Sequence, residues 1–264
     1  MEGVIQALKR AREHGQPVPM PPASGNVGHE TVIELPPATT GLFSPGPANR
    51  LPTHGLRDQR IVAFDQRDPH ARSFDLLRNR VIANTQADES RVVAVASPTR
   101  GSGASTTAFN LALSIARQRN WNVALIDLDG RSASFEAFGL AGRYIRTTEF
   151  DGVALARIEV ENCSLLAGSF PVGSAFRNPR ASRDLVVSEW LQRAKRAFGP
   201  TIFILDLPPL LGSDDGLPLV MRADFLVLVL GVGIETVADF EACKSSIATV
   251  PHLVTLNRTR RHGL

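Results

Sequence analysis

Short apolar segments that alternate with helical segments most constrain what this chain can fold into. Their apolar residues are continuous rather than alternating, which indicates strands buried on both faces of a sheet. Helical segments between the strands indicate right-handed parallel crossovers. The predicted strands are Val92–Ala96, Val123–Ile126, Ser164–Ala167, Ile202–Leu205, Phe225–Leu230 and Leu253–Leu256, and the predicted helices are Ala71–Asn84, Ser105–Arg117, Asp184–Phe198 and Glu235–Ile247. The sequence therefore predicts an α/β domain with a doubly wound, mostly parallel sheet and helices on both faces.

The N-terminal residues show a helical pattern of another kind. Val4, Ile5 and Leu8 share one face of a short segment whose remaining positions are rich in charge. Such a pattern predicts a short amphipathic helix. Over residues 1–15 it is interpreted as a segment that docks the protein to a partner, and a frayed terminus is the alternative.

Proline dominates the segment that follows. Nine of the 18 prolines lie between Pro17 and Pro52, among Gly, Ser, Thr and Asn. This composition favours a disordered chain with some extended polyproline character, because it offers few apolar side chains to bury. Residues 16–68 are therefore predicted to be a disordered tether, and the α/β domain is assigned to residues 69–264.

Composition excludes several classes of protein. The formal net charge is +3 over 264 residues, which is too weak to indicate a nucleic-acid partner. Two cysteines without CxxC spacing argue against a disulfide framework or a zinc site, and suit a reducing cytoplasm. The longest uncharged apolar run, Phe225 to Ile234, is about half of the roughly 20 residues that a membrane-spanning helix needs.

A glycine-rich loop follows the first predicted strand and opens a helix. It runs Ser97-Pro98-Thr99-Arg100-Gly101-Ser102-Gly103-Ala104-Ser105-Thr106-Thr107. Glycines at 101 and 103 would let backbone N–H groups approach an anion, and the helix N-terminus adds partial positive charge. Ser105 stands where the hydroxyl of a phosphate-binding P-loop ligates Mg²⁺, but the lysine expected just before it is Ala104. An ordinary strand-to-helix turn is the alternative.

Carboxylates come directly after two other predicted strands. Asp127 and Asp129 follow one strand, and Asp206 follows another. Ligands of open α/β sheets bind at the carboxyl edge of the strands, and carboxylate oxygens suit Mg²⁺. Each aspartate alone could be a helix cap or a solvated turn residue. Together with the glycine loop, the three predict a magnesium and phosphate site at one sheet edge.

The ordered motifs GSGAST, IDLDGR, ILDLPP and LVTLNR resemble those of the BY-kinases, the cytosolic tyrosine-kinase-like ATPases of bacterial capsule and exopolysaccharide synthesis. These are related to the deviant Walker-A ATPases of partition and septum positioning. The resemblance covers about residues 70–258. It implies a P-loop NTPase fold with ATP or ADP and Mg²⁺ as cofactors, and an inner-membrane polysaccharide copolymerase as partner.

The resemblance also assigns roles to residues. Catalytic roles would fall on Asp127, Asp129 and Asp206, and Mg²⁺ would be held by Ser105, Asp127 and Asp206. The remaining residues are implied to contact the nucleotide, with the last two bordering the adenine: Arg100, Gly101, Ser102, Gly103, Ala104, Ser105, Thr106, Arg131, Asn257 and Arg258.

Three departures from the family pattern predict impaired catalysis or altered assembly. The phosphate-binding lysine is replaced by Ala104, and the only tyrosine is Tyr144, so a tyrosine-rich tail is absent. The family joins subunits into a ring through a Glu and two Arg on one helix. Here the predicted helix 71–84 has Arg72, Asp75 and Arg78, with the first two signs exchanged. These residues are interpreted as a solvated face, with an intersubunit ion pair and a homo-oligomer as the alternative.

The resulting expectation is a degenerate BY-kinase-like protein. It would bind nucleotide weakly and regulate exopolysaccharide or capsule synthesis or export, in the cytoplasm, attached to the inner membrane through the copolymerase. One alternative is an active ATPase or protein kinase in which Arg100 or a neighbouring subunit supplies the positive charge. Others are a septum- or partition-type positioning ATPase, and an α/β domain that binds some other anion.

Overall fold

A nine-stranded sheet forms the centre of the protein in the computed structural model, which describes residues 45–83, 90–130, 134–140, 145–170 and 182–258. The strands are β1 Asn49–Arg50, β2 Arg91–Ala96, β3 Asn122–Asp127, β4 Thr148–Phe150, β5 Val153–Val160, β6 Cys163–Ser169, β7 Thr201–Asp206, β8 Phe225–Gly231 and β9 His252–Asn257. The helices are α1 Thr53–Asp58, α2 Ala71–Ala83, α3 Ala104–Ala116, α4 Ser134–Ala137, α5 Arg183–Phe198, α6 Gly216–Val220 and α7 Val237–Ser246.

The strand order is β1-β5-β6-β3-β7-β2-β8-β9, and β4 pairs with β5. All pairings are parallel except β4–β5 and β5–β6, which are antiparallel. The predicted doubly wound, mostly parallel sheet is therefore confirmed. Strand β7 lies between β2 and β3, where Asp206 is in register with Val95 on one side and Asp127 on the other.

Both faces of the sheet are buried, as the continuous apolar runs predict. Val93 and Val95 of β2 belong to the core that α2 and α3 cover, whereas Val92 and Ala94 belong to the core under α5, α6 and α7. Successive side chains of a strand point to opposite faces. A strand covered by helices on both sides therefore needs apolar residues at every position.

Each of the six predicted strands and four predicted helices corresponds to an observed element. The elements that the sequence analysis missed are the short β1, α1, β4, α4 and α6 and the longer β5. Strand β5 contains Arg157 and Glu159, and its burial alternates along much of its length because it lies near the edge of the sheet. Charged residues interrupt the apolar run of such a strand, which therefore does not match the pattern of a strand buried on both faces.

The predicted tether extends too far, because residues 45–68 belong to the folded domain. Asn49 pairs with Ile158 of β5, and Leu56, Ile61 and Phe64 are buried in the core. Proline does not prevent this packing, since β1 is a two-residue edge strand that needs few backbone hydrogen bonds. The prediction is wrong for these residues, and residues 1–44, including the docking segment, lie outside the described part.

The buried Asn110 of α3 attaches this segment to the domain. Its side-chain oxygen accepts hydrogen bonds from the backbone N–H groups of Val62 at 2.8 Å and Ala63 at 3.0 Å. Its Nδ2 donates to the carbonyls of Arg60 at 3.0 Å and Thr106 at 2.9 Å. One buried amide therefore satisfies four backbone groups.

The second structural correction concerns helix α2. Asp75 accepts hydrogen bonds from the Ser114 hydroxyl at 2.6 Å and from Arg78 at 3.0 Å, and it also pairs with Arg117. Arg78 is buried, and its burial lowers its pKa. The interpretation as a solvated face is wrong for Asp75 and Arg78, because α2 turns this edge towards α3. Arg72 is exposed.

The first prediction tests the attachment made by Asn110. Asn110→Ala should lower the free energy of unfolding by about 2–4 kcal/mol, because two buried N–H groups lose their acceptor. Urea denaturation followed by circular dichroism measures the loss. The matched control is Asn122→Ala, which removes only a 3.4 Å bond to Phe198 and should cost about 1 kcal/mol or less. Equal losses in the two variants would contradict this role of Asn110.

Candidate functional site

The glycine loop joins β2 to α3 in a conformation that depends on its glycines. Gly101 and Gly103 have φ angles of +88° and +91°, a region that L side chains rarely adopt. A Cβ at Gly103 would also lie 2.2 Å from Nδ2 of Asn257. Helix α3 begins at Ala104 directly after this residue. Its first N–H groups have no intrahelical partner and are available to an anion.

The last residue of β9, Asn257, and the next residue, Arg258, hold the loop. Nδ2 of Asn257 donates to the Ser102 carbonyl at 2.8 Å, and the Arg258 guanidinium donates to the Gly101 carbonyl at 2.6 Å. The role at the adenine that the resemblance implies for this pair stays a prediction.

Glu235 also holds the loop, and the sequence analysis missed it. Its buried carboxylate accepts hydrogen bonds from the hydroxyls of Thr99, at 3.0 Å, and Ser102. It also accepts the backbone N–H of Gly231 at 2.6 Å. The Ser102 side chain is thus committed to fixing the loop. The signal that could have found Glu235 is a carboxylate shortly after an apolar strand, as with Asp127 and Asp206.

A cavity of about 270 Å³ opens above the loop. The structure brings together here most of the residues predicted from the sequence. Its lining consists of Ser97, Arg100, Gly101, Gly103, Ala104, Ser105, Thr106, Asp129, Leu207, Pro209 and Arg258. Arg131 lies outside the described residues. Ala104 lines the cavity and is also partly buried against the apolar core. Its methyl group supplies no charge to the cavity.

Asp206 lies fully buried at the end of β7, next to the loop. Burial, together with the neighbouring charges of Asp127 and Asp129, raises the pKa of its carboxyl to about 8, although a hydrogen bond from the Ser105 hydroxyl acts in the opposite direction. Within the described part of the chain, its Oδ2 has no hydrogen-bond partner. A buried, unpartnered carboxylate oxygen beside a hydroxyl fits a divalent cation.

Asp127 has a structural task at the end of β3. Its Oδ1 accepts the backbone N–H groups of Asp129 at 2.9 Å and Gly130 at 3.2 Å, and its Oδ2 accepts the Ser169 hydroxyl at 3.0 Å. Burial nevertheless raises its pKa. Because both oxygens already have donors, Asp127 shapes the turn that carries Asp129.

Asp129 is paired with Arg100 across the cavity. The guanidinium donates from Nη1 to Oδ2 at 2.7 Å and from Nη2 to Oδ1 at 2.9 Å. The hydrogen bond to Asp129 raises the pKa of Arg100. The described residues contain no cluster of three or more His, Cys, Asp or Glu side chains around a common metal position.

Comparison with known proteins identifies the fold. No protein-family model and no curated protein matches the sequence. The kinase domain of the Escherichia coli tyrosine kinase ETK is 19% identical, with a TM-score of 0.59 over 77% of this chain and 81% of that chain. The VpsO kinase domain is 21% identical, with a TM-score of 0.55 over 79% and 98%. MinD from Aquifex aeolicus, a cell division protein, is 19% identical, with a TM-score of 0.50 over 64% and 70%.

The chain has the fold of these kinase domains. The P-loop NTPase-like architecture expected from the motifs is therefore confirmed, and the structural neighbours are the bacterial tyrosine kinases and MinD-type proteins that the resemblance named. At 19–21% identity the likeness establishes the fold alone. In the described part of the chain, no helix has the length and apolar character needed to cross a bilayer.

The second prediction follows from the raised pKa of Asp206. The folded protein holds this proton more tightly than the unfolded chain, whose carboxyl has a pKa near 3.8. Without metal, stability should therefore fall as pH rises from about 4 to 8, with a slope of up to about 1.4 kcal/mol per pH unit from this group. Asp206→Asn should reduce that slope and stabilise the protein at pH 8.

Urea denaturation in EDTA at several pH values between 5 and 9 measures this slope. Asp214→Asn is the matched control, because it removes an exposed carboxylate and should leave the slope unchanged. The slope should not vanish in Asp206→Asn, because the raised pKa of Asp127 acts in the same direction. An unchanged slope in Asp206→Asn would show that this carboxyl is not protonated preferentially in the folded state.

Proposed function

We propose that the protein is a nucleotide-binding regulator of the BY-kinase type with little or no catalytic turnover. The observation that carries this proposal is a backbone cradle that lacks the expected lysine. The loop at Gly101 to Gly103 is held rigidly above the start of α3, with the unpartnered oxygen of Asp206 beside Ser105. At the position of the phosphate-binding lysine, the Ala104 side chain packs against the core.

ADP or ATP would place its phosphates against the N-terminal N–H groups of α3. Ser105 and Asp206 would hold Mg²⁺, which neutralises phosphate charge when bound. Asp127 would orient the turn that carries Asp129 through its two backbone hydrogen bonds. Leu207 and Pro209 form the apolar part of the lining. The chain's own groups would thus supply hydrogen-bond donors, ligands for the cation and an apolar part of the cavity lining.

The missing lysine affects turnover more than binding. A lost charge-assisted hydrogen bond costs about 1.5–3 kcal/mol, or roughly 10- to 100-fold in affinity. Losing a preorganised group that stabilises the transition state costs roughly 10²–10³ in rate. Weak binding therefore survives where turnover does not.

The third prediction restores the missing charge. Ala104→Lys should tighten Mg²⁺-ADP binding by about 10-fold or more, because the ammonium adds a charged donor beside the phosphates. Isothermal titration calorimetry with ADP and ATP, with and without Mg²⁺, measures the change. Ser245→Lys adds the same charge on the exposed surface of α7 and should leave affinity unchanged. Equal affinity for the parent and Ala104→Lys would show that the loop is not a phosphate cradle.

An active ATPase or protein kinase is the second candidate, favoured by the position of Arg100 in the cavity lining. A MinD-type positioning ATPase would also need turnover. Phosphate release from ATP separates these from the regulator. A rate matching that of Ala104→Lys, and abolished in Asp206→Ala, would establish the active enzyme. Autophosphorylation of a tyrosine tail is not expected in either case, because the single tyrosine is Tyr144.

The biological role is proposed from the resemblance. The protein would act in exopolysaccharide or capsule synthesis or export, in the cytoplasm, at a polysaccharide copolymerase of the inner membrane. A homo-oligomer through α2 would use its outer face, where Leu76 is 58% exposed and Arg72 is also exposed. Asp75 and Arg78 bond within the chain, so they are poor candidates for a bridge between subunits.

The fourth prediction concerns the docking segment. Deleting residues 2–14 should abolish recovery of the protein with membranes, and only in cells that contain the copolymerase. Val4, Ile5 and Leu8 would contribute about 1.5–3 kcal/mol each when buried, which immobilisation and helix ordering largely offset. Cell fractionation and immunoblotting measure recovery. Strong binding of the isolated segment to protein-free anionic liposomes at physiological salt would identify lipid as the target instead.

A further inference from the structure

The ion pair between Arg100 and Asp129 lies inside the proposed phosphate cavity. Both residues line it, and the guanidinium and the carboxylate meet through two parallel hydrogen bonds of 2.7 and 2.9 Å. A guanidinium binds a phosphate in this same forked geometry. The Asp129 carboxylate therefore occupies the donors that Arg100 could offer to a phosphate.

The two side chains of the pair differ in conformational freedom. Asp129 is short, 9% exposed, and carried by a turn whose N–H groups bond to Asp127. The Arg100 side chain is long and 57% exposed. A rearrangement therefore moves the arginine and leaves the carboxylate in place. An ion pair with one exposed member contributes little to stability, so a phosphate can compete for it.

We propose that Arg100 is the phosphate-binding cation of this site and that Asp129 is its resting counter-ion, which the phosphates of a nucleoside diphosphate must displace. This inference rests on the proposed nucleotide-binding function. It explains how a loop with Ala104 in place of lysine retains a positive charge for its ligand. It also gives Asp129 a task before any reaction, as an internal competitor of the nucleotide.

The exchange has a consequence for divalent cations. When Arg100 turns to a phosphate, the Asp129 carboxylate loses its partner and stays in the lining of the cavity. The site then holds one more free carboxylate for Mg²⁺. The phosphate would bind Arg100 and the cation would bind Asp129. Binding of either ligand therefore frees the partner residue for the other, and this coupling is reciprocal.

Calorimetric titration of the full chain with ADP, first in EDTA and then in Mg²⁺, tests the exchange. In EDTA, Asp129→Asn should bind ADP about 10-fold more tightly than the parent, because Arg100 is freed. Arg100→Ala should bind about 10-fold more weakly. The double variant should match Arg100→Ala, since Asp129 acts through Arg100. The gain in affinity on adding Mg²⁺ should shrink in Asp129→Asn.

Two controls and one conservative variant sharpen the result. Glu159→Gln and Arg50→Ala remove members of an exposed ion pair and should leave ADP affinity unchanged. This pair lies far from the cavity, at the end of the sheet where the parallel strands begin, because Glu159 is in register with Ser164 near the start of β6. Arg100→Lys should lie between the parent and Arg100→Ala, because it keeps a charge but loses the fork. Far-UV circular dichroism checks that each variant is folded.

The outcomes separate this inference from the proposed function. ADP binding by the parent that is unchanged in folded Arg100→Ala and Asp129→Asn would overturn the inference and leave the nucleotide site standing. Tightening in Asp129→Asn that persists in the double variant would overturn it as well, since Arg100 would then not be the group released. Absence of ADP binding by the parent, Asp129→Asn and Ala104→Lys would overturn both proposals.

Discussion

Burial of the central strands on both faces is the constraint on which the rest of the structure depends. Strands β2, β3 and β7 lie between two helical layers, so their connections must cross over through helices and return in parallel. Parallel strands end at the same edge. That edge therefore collects the glycine loop after β2, Asp127 at the end of β3 and Asp206 at the end of β7. The candidate site is a consequence of how the sheet is covered.

Low solvation at this edge then determines the behaviour of its charges. Asp206 favours the protonated form because it is buried. Burial also raises the pKa of Asp127, but three hydrogen bonds to its carboxylate act in the opposite direction. Asp129, nearer the surface, pairs with Arg100 instead. Three carboxylates at or just after the ends of strands thus have different environments: one is buried with an unpartnered oxygen, one shapes a turn and one pairs with a guanidinium.

The loop keeps its hydrogen bonds although the expected lysine is replaced by Ala104. The carboxylate of Glu235 binds loop hydroxyls, and the side chains of Asn257 and Arg258 bind loop carbonyls. The amide of Asn257 fits against Gly103, where any side chain would collide with it. A backbone cradle needs no particular side chain at position 104. Its geometry can therefore persist although Ala104 supplies no charge.

The sequence by itself determined the α/β class, the central strands and helices, and the meeting of the loop with Asp127 and Asp206, because continuous apolar runs and strand-end residues are local signals. It did not reveal β5 or the fold of residues 45–68. These segments are stabilised by pairing at the sheet edge and by the distant Asn110. Only the tertiary structure decided that Glu235 holds the loop and that Arg100 faces Asp129. Residues separated by 136 and 29 positions meet there because the sheet brings its strand ends together.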